Sequence, residues 1–182
     1  MMVKIQAEKL FLWTLLLLLG SGLAFQAAAE TKSASRTAFE KLKALEGTWK
    51  GGGEGEGDEP FTAIHEFRVS ANGTVIMETM GPGTEHEMIN MYHMDGNDLV
   101  LTHYCAGGNQ PTMKLKTAAA KPNELEFDFT GGTNLDPAED EHIHSARIVL
   151  KGEDDIESNW TAYRAGEKAG EMKFTLTRDG SE

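Results

Sequence analysis

Cysteine and positive charge are both scarce in this 182-residue chain. Cys105 is the single cysteine, so no internal disulfide can form and a core must hold the fold by itself. Lys and Arg number 17 against 29 Asp and Glu, a formal charge of −12. An acidic surface of that size repels phosphate backbones and anionic headgroups, which excludes nucleic acid as a partner. Helical periodicity is missing over any useful length after Gly47, and no internal repeat is visible.

The apolar run that does occur lies at the N-terminus. Leu10 to Leu19 follows Lys4 and Lys9, and Ala27, Ala28 and Ala29 supply the small residues that a signal peptidase reads. The run is about 10 to 15 residues, short of the roughly 20 needed to span a bilayer. The pattern predicts a cleavable secretory signal over 1–29, a disordered leader over 30–36 and one domain over 37–180. An uncleaved anchor is the alternative. On this reading the protein is exported, periplasmic or extracellular in a bacterium, with no stable membrane insertion after cleavage. Losing Lys4, Lys9 and Glu8 would take the net charge from −12 to −13.

Phe39, Leu42 and Leu45 recur at three-residue steps and predict a short helix that plugs a barrel end. Beyond Gly47 the chain alternates. Ala63, His65 and Phe67 share a face, as do Leu99, Leu101 and His103, then Leu125 and Phe127, then Ala146 and Ile148. Short turns such as Ala71-Asn72-Gly73 separate these runs and force antiparallel neighbours. The expectation is an all-β, up-and-down antiparallel barrel of eight to ten strands, closed so that it leaves no sticky edge. A two-sheet sandwich is the runner-up.

Gly47-Thr48-Trp49 opens the first strand, and Arg178 closes the last, after Met172 to Thr177. A tryptophan and an arginine so placed resemble the minimal signature of the lipocalin-like (calycin) barrels. The run His103-Tyr104-Cys105-Ala106-Gly107-Gly108-Asn109-Gln110-Pro111 is similar to runs in uncharacterised exported bacterial lipocalin-like proteins. The resemblance implies that Trp49 and Arg178 stack at one barrel end in a structural role. It implies no mechanism.

Alternation turns several polar side chains inward. The candidate ligand-binding residues are His65, His103, Cys105, His144, Trp160, Asn109 and Gln110. The leading reading is a non-enzymatic protein holding a small, largely apolar ligand in the lumen. A second reading is a transition-metal or haem barrel. His142 and His144 form an i, i+2 pair that suits a metal, with His103 as a third nitrogen. The Gly-Thr-Trp-x-Gly-x-Gly start is also similar to nitrobindin-type haem barrels, although the surroundings of His142 and His144 depart from that pattern. A third reading is an enzyme with a Cys105 thiol activated by His103. A one-residue bulge would move any of these side chains outside. The glycines at 51–57 lack the lysine and following helix of a phosphate loop, and the acidic loop Asp136 to Glu141 lacks the spacing of a calcium hand.

Overall fold

The structure is a computed structural model that describes residues 34–55, 57, 59–116 and 121–180. The signal segment expected over 1–29, and residues 30–33 of the leader, lie outside the described residues. Ten strands follow a short N-terminal helix α1 (34–43): β1 Gly47–Gly55, β2 Phe61–Ser70, β3 Val75–Met80, β4 Met88–Asp95, β5 Asp98–Tyr104, β6 Gln110–Leu115, β7 Glu124–Thr133, β8 His142–Leu150, β9 Asp155–Arg164 and β10 Glu167–Arg178. Each strand pairs antiparallel with its chain neighbours, and β1 pairs β10, so the sheet closes into a barrel. The sandwich alternative is thereby excluded.

Closure demands a close approach of the first and last strands. A Cβ on Gly51 would lie 2.0 Å from the Thr175 carbonyl oxygen. Glycine at that position is what lets β1 lie against β10. The Asn72-Gly73 turn forms with left-handed backbone at Ala71, Asn72 and Gly73 (φ 48°, 54° and 80°), the hand that matches strand twist.

The two ends of the barrel differ. At one end α1 seats Ala38, Phe39 and Leu42 on the core, with Leu45 just beyond it, all buried. Residues 34–36, expected in a disordered leader, form the first turn of this helix. Ser35 in that turn is already buried. Trp49 and Arg178 stand here as cross-strand partners. The Arg178 guanidinium stacks 4.4 Å from the Trp49 ring centroid. It also donates to the Ala44 and Glu46 carbonyls, both at 2.8 Å. The Trp49 indole N–H donates to the Leu45 carbonyl at 2.8 Å. The pair thus ties the carbonyl-rich C-terminal end of the helix to the seam of the barrel. Among the described residues the opposite end carries no helix, and it opens into a cavity.

Candidate functional site

The inward row of β2 places His65, that of β3 places Glu78, that of β4 places Asn90 and Tyr92, and that of β5 places His103. Register makes Glu78 and Asn90 direct cross-strand partners, and likewise Asn90 and His103. Glu78 lies opposite Phe67, one diagonal step from His65. Five polar side chains therefore line up across four adjacent strands, and all are at most 2% exposed.

The hydrogen bonds along this row have a forced direction. Burial opposes the charge on Glu78, but bonds from His65, Tyr92 and Asn90, with the His65 charge interaction, outweigh it and hold the carboxyl below its ordinary range. An ionised carboxylate only accepts. His65 Nδ1 therefore donates to Oε1 at 2.8 Å, while Tyr92 Oη at 2.6 Å and Asn90 Nδ2 at 2.9 Å donate to Oε2. Burial first, and the Glu78 charge second, push the Tyr92 hydroxyl well above its ordinary range, so it stays a donor.

With its amide nitrogen committed to Glu78, Asn90 presents Oδ1 to His103 Nδ1 at 2.7 Å. That nitrogen must carry the proton, and Nε2 must be the bare acceptor. Among the described residues, His103 Nε2 is a buried polar atom with no hydrogen-bond partner. Burial pushes the His103 imidazole down to about 4, against a smaller opposing pull from Glu78. The ring is neutral near pH 7.

His103 borders a cavity of about 690 Å³ at the open end, together with Met80, Met88, Ile143, Trp160, Met172 and Phe174. The Trp160 ring lies 5.7 Å from the His103 ring. The cavity size is within the range of small-molecule sites. Its outer rim is polar, with Glu141, Lys168 and Glu171.

The proton balance predicts a pH dependence. Unfolded histidine takes up a proton near 6.5 and folded His103 only near 4. The folded value is depressed, so this contribution to stability is complete above about 6.5 and is lost as pH falls toward 4. The loss from this one group is about 3 kcal/mol over that window. His144, whose ordinary value is also lowered by burial and by His142, adds in the same direction. Urea midpoints recorded from pH 7 to 4.5 should fall for the native chain and fall less for His103→Leu. Parallel curves would contradict the assigned buried, neutral ring.

The inward orientation expected for His65, His103 and Trp160 is found: all three are buried, His103 and Trp160 on the cavity wall and His65 at the far end of the polar row. His144 is not on the wall of this cavity. The pairing of β8 with β9 shifts register between Ile143 and Ser145, so Ile143 lines the cavity while His142 and His144 join Phe129 and Tyr163. His142 Nδ1 donates to the Asp140 carbonyl at 2.9 Å, and its Nε2 accepts from His144 Nδ1 at 3.2 Å. The expected metal trio His103, His142 and His144 is not assembled: His103 is bound to Asn90, and the other two bind each other. No group of three or more His, Cys, Asp or Glu arranged to hold a metal ion occurs among the described residues.

Gln110 also departs from its expected role. Its amide donates to the Gly108 carbonyl and accepts from Thr133 Oγ1, both at 2.8 Å, so it braces the loop before β6. Cys105 lies beyond the end of β5, accepting the Gly107 N–H at 3.3 Å, and makes no bond to His103 Nε2. The thiol–imidazole pair required for a catalytic cysteine is absent there. Asp136 and Asp140 spend carboxylate oxygens on backbone N–H groups of their own loop.

Glu78, Asn90 and Tyr92 were not among the sequence candidates. The signal was present in Ile76-x-Glu78-x-Met80, a carboxylate on an apolar strand face, which requires buried donors. Which strands supply those donors depends on register across the barrel.

The comparisons with known proteins agree with the architecture. No protein-family model and no curated protein matches the sequence. Among solved structures, the chain is similar to a protein of unknown function from the DUF3598 family of Nostoc punctiforme. The TM-score is 0.50 and the identity 13%, over 76% of this chain and 49% of that one. The chain spans about half the length of that protein, and identity so low shows a shared fold only.

Proposed function

We propose that this chain is an exported, lipocalin-like binding protein whose open-end cavity holds a small molecule through a hydrogen bond to His103 Nε2. The observation that carries the reading is that bare nitrogen, buried beside a cavity and held in one tautomer by Asn90 and Glu78. A buried acceptor without a partner is costly, and a ligand O–H or N–H removes the cost. The ligand is therefore a mostly apolar molecule with a donor at its inner end, such as a phenol. A depressed imidazole is a weak base, which favours binding over proton abstraction.

Calorimetry with para-hexylphenol and hexylbenzene tests this. The native chain should prefer the phenol, and His103→Leu should lose about tenfold in phenol affinity with hexylbenzene unaffected. Equal loss for both probes, or none, would defeat the reading.

The same nitrogen supports a second reading, in which it ligates a haem iron. Haem brings four nitrogens of its own and needs few protein ligands, unlike a bare metal ion. His103 would be the ligand, with Asn90 fixing its ring. A Soret band that appears on haem addition and is lost in His103→Leu would favour it.

A further inference from the structure

Above the cavity lies a second recess of about 560 Å³, bordered by Cys105, Asn109, Asp140, Glu141, His142 and Arg164 among others. Glu141, Ile143 and Ala162 border both spaces, so the two are neighbours. Asn109 is 9% exposed, and its amide orientation is forced. Nδ2 donates to the Glu141 carbonyl at 2.8 Å, which only accepts, so Oδ1 is the remaining end. Among the described residues, that oxygen is buried and without a partner. It is a second orphan acceptor, on the border of the neighbouring space.

The charges around it have a sign. Asp140 and Glu141 contribute two carboxylates, and Arg164, bound to Glu141 at 3.0 Å, offsets one of them. The whole chain is acidic as well, at −12. A carbonyl acceptor in a locally negative recess suits a cationic donor and repels an anion.

We propose that this recess is a second subsite that takes a primary ammonium group, so that the ligand is an elongated molecule with a donor at its inner end and an amine at its outer end. This rests on the reading of the His103 cavity but is separable from it. The probes are para-hexylphenol, its analogues with a terminal amine or a terminal carboxylate, a series of the amine analogue with longer and shorter spacers, and hexylamine. In the native chain, the amine analogue of matching spacer should bind about tenfold tighter than para-hexylphenol, and the carboxylate analogue weaker. The gain should vanish in Asn109→Leu. Para-hexylphenol should bind Asn109→Leu as it binds the native chain, and a native-like thermal melt of that variant guards against a folding artefact.

If para-hexylphenol fails to bind while hexylamine binds with the same dependence on Asn109, the recess stands and the inner-cavity reading falls. If para-hexylphenol binds through His103 but no spacer gives an amine a gain, the recess proposal is overturned. A gain that survives in Asn109→Leu, or a tighter carboxylate analogue, also overturns it.

Discussion

Glu78→Leu should destabilise the barrel by about 3–5 kcal/mol, read as a lower urea midpoint at neutral pH. The leucine fills a similar volume, so packing is not what is lost. Three buried donors, His65 Nδ1, Asn90 Nδ2 and Tyr92 Oη, lose their acceptor together, and each orphan carries a desolvation cost. Glu78→Gln should cost less and be more informative. It keeps the shape, and its one amide oxygen can take the place of Oε2 and accept from both Asn90 and Tyr92, while its amide nitrogen faces His65, whose ring then moves its proton off Nδ1. The Asn90 orientation and the bare His103 nitrogen are kept, so para-hexylphenol affinity should change little in Glu78→Gln. A Glu78→Leu cost below about 1 kcal/mol, or phenol affinity lost in a folded Glu78→Gln, would show that the row is not held as assigned.

Trp49→Ala should cost a similar amount, about 3–5 kcal/mol, for a different reason. Trp49 is fully buried at the helix end of the barrel. Truncation opens a void under α1 beside the edge of Phe67, whose ring centroid is 6.4 Å away. It also removes the indole donor from the Leu45 carbonyl and the surface on which Arg178 stacks. Trp49→Phe should be milder, since it keeps a ring for Arg178 but loses the N–H. Thermal melts of the two variants give the order. Ligand affinity should be unchanged in both wherever they are folded, because the cavity is at the other end. A Trp49→Ala protein with native thermal stability, or one with altered ligand preference but an intact fold, would contradict the structural role.

These two positions contrast in how legible they were. Trp49 and Arg178 stand at the start of the first strand and the end of the last, and closure of an antiparallel barrel makes such positions neighbours. Their proximity was readable from order along the chain, and the resemblance implied their stacking. Glu78 was not, because its significance lies in residues 12 to 14 positions away that only cross-strand register brings to it. Asn109 was among the candidate ligand-binding residues, but its unpartnered oxygen depends on where the Glu141 carbonyl falls. His142 and His144 were misplaced because alternation assumes an unbroken pleat. One register shift between Ile143 and Ser145 breaks it.

By itself, the sequence determined the strand-rich architecture, the plugging helix and the inward rows that carry His65, His103 and Trp160. Each follows from a local rule, since side chains two apart on a strand share a face and Phe39, Leu42 and Leu45 share one on a helix. The tertiary structure alone decided the hydrogen-bonded row from His65 to His103, the exclusion of the His142–His144 pair from the cavity and the unpartnered acceptors of His103 and Asn109. Those depend on which strands lie side by side and in what register, and a bulge or a cross-strand partner leaves no mark on the spacing along the chain.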